Sequence, residues 1–182
     1  MSQEQIQVVT YFLASLTVLA QILVVIFLGG YALAKKNKKP NKLTHFAKNY
    51  GFNGALIVAF TAMTGSLFYS DIAGYEPCLL CWYQRILMYP QVILFGIALW
   101  KKDMGIRIYS IALSLLGFII AGYHYLLQIG VTEIAPCSAV GYSVSCADSF
   151  SMTFGYITIP MMATSAFALI LTMMIVGKKI KK

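Results

Sequence analysis

The chain has 182 residues, of which 59% are hydrophobic and only 11% are charged. A typical soluble domain carries about twice this charged fraction, so the composition excludes an ordinary soluble globular protein. The formal net charge of +8 does not indicate a nucleic-acid partner, because the basic residues are confined to short connections between apolar stretches.

Five apolar stretches divide the chain, and each reaches the length of about 20 residues that a helix needs to cross a bilayer. A bilayer forces backbone polar groups to pair within each segment, so these stretches predict transmembrane helices. In chain order they are Ile6–Ala34, Asn49–Ser70, Pro77–Trp100, Ile108–Thr132 and Ser149–Gly177. The predicted fold class is an all-α integral membrane protein with five spans and no separate soluble domain.

The first stretch is expected to stay in the mature protein as a membrane helix. No basic residue precedes it, and it is longer than the apolar region of a signal peptide. The sequence KKNKK follows it, where a signal peptide would have a cleavage site of small residues.

The charges in the connections alternate from one connection to the next. All but one of the 14 basic residues lie in the first and third connections and at the carboxyl terminus, and the exception is Arg85. Of the six acidic residues, only Asp103 lies on this basic side. The positive-inside rule therefore predicts that the amino terminus is outside and the carboxyl terminus cytoplasmic.

With this topology all four cysteines lie on the outer side: Cys78 and Cys81 in one connection, Cys137 and Cys146 in the other. Redox chemistry is the favoured interpretation, and structural disulfides are the alternative. A four-thiolate zinc site is disfavoured because SAVGYSVS separates the second pair, whereas zinc sites usually have two to four residues between ligands. No metal is predicted.

The first pair belongs to the sequence CLLCWYQR at the start of the third stretch. Pro77 is a helix-starting residue, so Cys78 and Cys81 are expected in the first turn, where free N–H groups stabilise a thiolate. Arg85 is expected about 6 Å further along the same face. A cation there would favour a thiolate or a reduced ligand, although an arginine near a span end can also simply reach the headgroups.

His124 lies near the outer end of the fourth stretch, in AGYHYLLQ. Together with Arg85 it offers two hydrogen-bond donors at similar depth, which suits a ligand that bears carbonyl groups. The alternative is a hydrogen-bonded packing residue.

The stretch EPCLLCWYQRILMYP resembles the motif of the disulfide bond formation protein B (DsbB) family, and most of all its short-loop, BdbC-like members. The resemblance extends from about Asn49 to the carboxyl terminus. It implies a four-helix transmembrane bundle with two outer cysteine-bearing loops at residues 49–182. Residues 1–48 would then be an additional amino-terminal transmembrane helix and a basic cytoplasmic linker.

The resemblance also implies an activity. Members of this family are oxidoreductases of the bacterial cell (inner) membrane that reoxidise an extracytoplasmic thioredoxin-fold thiol oxidase of the DsbA or BdbD type. They pass the electrons to a membrane quinone, either ubiquinone or menaquinone. The expected partners are therefore this thiol oxidase, the quinone and membrane lipid, and no nucleic acid.

Residue roles follow position by position from the same resemblance. Cys78 and Cys81 would be the disulfide pair beside the quinone, with the Cys81 thiolate facing it. Cys137 would form the mixed disulfide with the partner, and Cys146 would pass electrons to Cys78. The implied catalytic residues are the four cysteines and Arg85, and the implied quinone-binding residues are Cys81, Arg85 and His124.

Two alternatives remain open. One is a quinone-linked reductase similar to vitamin K epoxide reductase, in which the loop cysteines precede the CxxC pair, whereas here they follow it. The other is a membrane scaffold without enzymatic activity, stapled by two structural disulfides.

Overall fold

The computed structural model describes residues 2–131, 145–147 and 151–177. Its five α-helices are α1 Gln3–Lys36, α2 Lys42–Leu67, α3 Leu79–Lys101, α4 Arg107–Gln128 and α5 Ile159–Val176. A π-helical turn, Phe68–Ile72, continues α2, and a 3-10 turn, Met104–Ile106, precedes α4. The described residues contain no strand beyond an isolated bridge between Thr153 and Ile157, so the all-α fold class is confirmed.

Four of the helices are long and apolar enough to cross a membrane: α1, α2 with its π-helical turn, α4 with its 3-10 turn, and α5. The 23-residue helix α3 is not among them. Its polar residues Gln84, Arg85 and Gln91 reduce its mean hydropathy, although both glutamines are buried within the protein. The fifth span therefore stays a prediction.

Helices α2 to α5 form a ring in which each packs against its neighbours in the order α2, α3, α4, α5 and back to α2. Helix α1 lies outside this ring and packs mainly on α5 and less on α2. Helix α5 consequently has neighbours on three sides, and half of its most apolar window is buried. The division into an additional helix and a four-helix domain is compatible with this packing and stays a prediction.

A buried polar cluster joins α3 to α4. The Gln91 side chain is fully buried, and its Oε1 accepts hydrogen bonds from Ser110 Oγ at 2.8 Å and from Ser114 Oγ at 3.1 Å. Its Nε2 donates to the Leu87 carbonyl. Every polar atom of this amide is thus satisfied away from lipid, as stability in an apolar environment requires.

Helix α5 begins at Ile159, ten residues after the start of the predicted apolar stretch. Thr153 and Ile157 pair across a tight turn in which Phe154 and Gly155 have positive φ angles. Pro160 therefore lies in the first turn of α5, where a proline is tolerated without kinking the helix. In contrast, Pro90 does lie inside α3.

The contact between α4 and α5 depends on a glycine. A Cβ atom added at Gly117 would collide with the ring of Phe167, which is fully buried. We expect Gly117→Ala to destabilise the protein by about 1–3 kcal/mol through overpacking. The measurement is thermal unfolding of the purified protein in detergent.

Gly122→Ala is the matched control for this prediction, because it lies on the same helix and has no atom within 4 Å of the added Cβ. It should leave the Tm unchanged or raise it slightly, since alanine is favoured over glycine in a helix by roughly 0.5–1 kcal/mol. An equal response of the two variants would contradict close packing at Gly117.

Candidate redox site at the start of α3

Cys78 and Cys81 lie at the beginning of α3, as the sequence predicted. Cys78 is the N-cap residue, with extended backbone angles, and Leu79 is the first helical residue. Both cysteines are free thiols, and their sulfur atoms are 3.2 Å apart. Two thiols this close in one helical turn can form a disulfide after a small side-chain rotation.

One side of the pair contacts His124. The Nε2 atom of His124 lies 3.6 Å from Cys78 Sγ, and both side chains are almost completely buried. Gln84, one turn after Cys81, places its Nε2 2.9 Å from His124 Nδ1. An amide nitrogen can only donate, so this hydrogen bond assigns the ring proton of neutral His124 to Nε2, which faces Cys78.

The same side of the pair also contacts the second cysteine loop. Cys78, Leu127 and Cys146 form one small buried cluster, and Cys81 is among the partly buried residues packed against it. Cys146 is fully buried and disulfide-bonded. The structure thus brings together Cys146 and Cys78, which are 68 positions apart in the chain. Cys137 lies outside the described residues.

A small cavity of about 30 Å³ lies between the cysteine pair and this loop. Its volume corresponds to the space of about one water molecule. The polar residues around it are able to bind such a water; they are Cys78, Cys81, His124, Gln128, Ser145 and Ser151.

The other side of the pair opens onto a much larger cavity of about 320 Å³. Cys81 and Arg85 both line it, whereas Cys78 and His124 do not. Ser66, Glu76 and Gln84 are among its other polar lining residues, and its remaining walls are largely apolar side chains of α1, α2 and α5. Cys81 therefore lines both cavities, whereas Cys78 lines only the small one.

The Arg85 guanidinium is held in place by α2. Its Nε donates to Ser66 Oγ at 3.0 Å, and one terminal nitrogen donates to the Ser66 carbonyl at 3.1 Å. Tyr89 also donates to Ser66 Oγ, and the guanidinium lies 5.2 Å from the centre of the Trp82 ring. Ser66 lies two residues before the π-helical turn that continues α2, a rare geometry that is frequent at functional sites.

Sequence analysis missed two residues of this site. The sequence assigns no site role to Ser66, which anchors Arg85. Gln84 had no role, although the motif CLLCWYQR contains it next to Arg85. Helical spacing contains a signal for Gln84, because position i+3 from Cys81 shares its face of the helix. No local signal identifies Ser66, since its partner lies on another helix.

The ligand atoms of Cys78, Cys81 and His124 lie within 4.8 Å of one another. This donor set suits a soft metal such as zinc, which prefers thiolate and imidazole. A structural zinc site has four ligands, and this group provides three. The reduced pair and His124 could therefore bind a metal ion. Assays of this protein should include a chelator as a control.

Comparison with known proteins links these features to one family. The family model described as "Disulfide bond formation protein DsbB" matches residues 49–177. The matched residues include the cysteine pair, Arg85, His124 and the second cysteine loop, and they exclude α1.

Individual relatives agree with this match. "Probable disulfide formation protein C" of Halalkalibacterium halodurans is 43% identical over 119 residues, which are 64% of this chain and 85% of the relative. "Disulfide bond formation protein C" of Bacillus subtilis is 43% identical over 120 residues, or 65% of this chain and 85% of the relative. The "SPbeta prophage-derived disulfide bond formation protein B" of the same organism is 40% identical over 143 residues, 76% of this chain and 95% of the relative. No solved structure matches the chain.

Proposed function

Because the chain belongs to the DsbB family, and so is an integral membrane oxidoreductase of disulfide-bond formation, we propose that it is a thiol:quinone oxidoreductase. It reoxidises a thioredoxin-fold thiol oxidase outside the cytoplasm and passes the electrons to a membrane quinone. All four cysteines lie on the outer side of the bacterial cell membrane, with the amino terminus outside and the carboxyl terminus cytoplasmic.

One observation carries this proposal: of the two cysteines of the CxxC pair, only Cys81 lines the large apolar cavity beside Arg85. Both cysteines adjoin the loop of Cys146, where Cys78 belongs to the buried cluster and contacts His124, so Cys81 lies between the loop and the cavity. This arrangement suits a relay that receives electrons on one side and delivers them on the other. A purely structural disulfide needs no cavity and no buried histidine.

The proposed relay has three exchanges of two electrons and two protons each. A reduced partner dithiol attacks the Cys137–Cys146 disulfide, and the partner leaves with a disulfide while the loop pair becomes a dithiol. The Cys146 thiolate then attacks Cys78 and releases the Cys81 thiolate, which leaves a Cys78–Cys146 mixed disulfide. The Cys137 thiolate next attacks Cys146 and releases Cys78, so the loop disulfide re-forms and the inner pair is reduced. Oxidation of Cys78 and Cys81 back to the disulfide completes the cycle.

The cavity beside Cys81 fits a quinone. Its apolar walls match a lipid-soluble ligand, and Arg85 offers N–H donors and a positive charge at the polar end. A bound quinone supplies the two-electron acceptor, and its reduction takes up two electrons and two protons. Arg85 would bind a carbonyl oxygen and stabilise negative charge near Cys81.

His124 acts on the exchange side of the pair in this proposal. With its Nε2–H facing Cys78, it donates a hydrogen bond to the Cys78 thiolate and stabilises it as a leaving group. The resemblance had implied that His124 binds the quinone, but it is not among the residues that line the large cavity. A direct contact with the quinone stays an untested prediction.

Gln84 would be a positioning residue for His124. We expect Gln84→Leu to slow the exchange between the cysteine pairs by about tenfold, because losing a hydrogen bond that orients a functional histidine commonly has an effect of this size. Gln84→Asn should recover part of the rate, since its shorter side chain keeps an amide donor.

The measurement for Gln84 is a single turnover of oxidised protein with one equivalent of reduced partner and without quinone. A structural role would slow both variants alike. A positioning role predicts that Gln84→Asn is faster than Gln84→Leu, because an amide can still donate to His124 Nδ1.

The proposed function is tested by quinone reduction with purified protein in lipid nanodiscs. The assay contains a reduced thioredoxin-fold thiol oxidase, a quinone and a chelator, and it measures quinol formed and partner disulfide formed. We expect one quinol for each partner disulfide. Oxidation of quinol with reduction of the partner would favour the reductase alternative, and no electron transfer in either direction would favour a scaffold.

A further inference from the structure

Helix α1 lies outside the residues that match the DsbB family, yet it forms one wall of the large cavity. We propose that α1 is part of the electron-acceptor site, where it binds the apolar chain of an isoprenoid quinone and separates it from the surrounding lipid. This inference rests on the proposed function, because it assumes that the cavity beside Cys81 binds a quinone.

Several side chains of α1 line the cavity over a long distance. The first is Leu13 and the last is Leu23, ten residues apart, which corresponds to about 15 Å along a helix. The full set on α1 is Leu13, Leu16, Thr17, Leu19, Ala20 and Leu23. This length exceeds what a quinone ring requires and provides space for a chain attached to it.

Specific contacts fasten α1 to the four-helix ring. Gln21 donates from Nε2 to Ser165 Oγ of α5 at 3.0 Å, and its Oε1 accepts from the Tyr156 hydroxyl at 2.9 Å. Near the other end of the cavity, the Tyr69 hydroxyl donates to Thr10 Oγ1. Hydrogen bonds between side chains in an apolar surrounding fix the position of a helix, so α1 is a fixed wall of the cavity.

The Leu13 side chain also packs closely against α2. A Cβ atom added at Gly65 of α2 would lie 3.2 Å from Leu13 Cδ1. The opposite face of α1 is apolar and exposed, with Tyr11 at 56%, Ile22 at 50% and Val25 at 71% exposure. Such a face suits lipid, so α1 stands between the cavity and the bilayer.

The composition of the cavity indicates what it binds. Cys81, Arg85 and Ser66 are polar groups at the end next to the redox pair, whereas Leu23 and Leu169 line the cavity farther along α1 and α5. A ligand with a polar head and a long apolar chain matches both parts. A phospholipid has the same two parts but carries no oxidant for the thiols, so competition with excess phospholipid distinguishes it from a quinone.

The experiment uses a photoreactive quinone whose azide is on its isoprenoid chain, added to the full-length wild-type protein in nanodiscs. Cross-linked peptides are identified by mass spectrometry. We expect a label within residues 13–23, and we expect excess unmodified long-chain quinone to remove it. Excess phospholipid should not remove it.

A pair of variants gives a second, matched measurement. Ala20→Phe places a ring in the cavity, whereas Ala32→Phe makes the same change at an exposed position of α1 outside the cavity. We expect Ala20→Phe to raise the KM for a long-chain quinone about tenfold and to leave the KM for a chainless quinone unchanged, since loss of apolar complementarity commonly costs this factor. Ala32→Phe should behave as wild type for both.

The outcomes separate the two proposals. If wild-type protein transfers no electrons from thiols to quinone, the proposed function fails. If it does transfer them but the label falls only on α2 to α5, or phospholipid competes as well as quinone, or Ala20→Phe behaves as Ala32→Phe, the role of α1 is wrong and the function stands.

Discussion

Replacing Cys81 by serine should abolish quinone reduction, with a loss of about 10³-fold or more, as is typical when a nucleophile that forms a covalent bond in each cycle is removed. The inner disulfide can no longer form, so Cys78 has no partner within its own pair. It remains beside Cys146, in the same buried cluster. We therefore expect the exchange between Cys78 and the loop disulfide to stop at a Cys78–Cys146 mixed disulfide, with the thiol of Cys137 released.

Peptide mapping under non-reducing conditions measures this mixed disulfide directly. Cys78→Ser is the matched control, because it also breaks the pair but leaves the cysteine that lines the cavity. It should be equally inactive and should contain little Cys81–Cys146 disulfide. Equal trapping in both variants, or normal activity of Cys81→Ser, would show that the sulfurs do not have the separate roles proposed for them.

Replacing Arg85 by glutamine should raise the KM for quinone by about ten- to a hundredfold, because a hydrogen bond to a charged group contributes roughly 1.5–3 kcal/mol. The kcat should fall as well if Arg85 stabilises negative charge that develops during the reaction. Arg85→Lys should recover only part of this loss. Lysine keeps the charge but cannot donate to both Ser66 Oγ and the Ser66 carbonyl in the planar geometry of a guanidinium.

Steady-state kinetics with varied quinone measures this effect, and single-turnover exchange without quinone should be unchanged. Arg107→Gln is the matched control. It also removes a half-buried cation, but Arg107 lies over the ring of Phe52 and does not line the cavity. It should leave the quinone KM at the wild-type value. If Arg85 only reached the lipid headgroups, Arg85→Gln and Arg107→Gln would have a similar KM for quinone.

Local sequence features were sufficient to predict much of this protein. The apolar stretches predicted all five helices because length and composition alone decide whether a segment pairs its backbone within a helix. The position of Cys78 and Cys81 at the start of α3 followed from Pro77 and the apolar stretch after it, although Cys78 is the N-cap residue and not part of the first turn. Both features depend on residues that are neighbours in the chain.

Tertiary packing decided the surroundings of each group. The sequence placed Arg85 and His124 together as donors to one ligand, whereas the structure places Arg85 in the cavity with Cys81, and His124 against Cys78. Which side of the pair a residue reaches depends on the rotation and crossing of α2, α3 and α4, and no local pattern encodes these. The anchoring of Arg85 by Ser66 depends on the same packing.

The same distinction between what the sequence predicts and what packing decides applies to α1. Composition determined that this segment is a helix long enough to cross the bilayer, because every residue contributes to that property separately. Its place in the wall of the cavity depends on contacts with Ser165 and Tyr69, which lie 144 and 59 positions from their partners in the chain. Only the folded chain brings such residues together, since their proximity results from helix packing and not from sequence spacing.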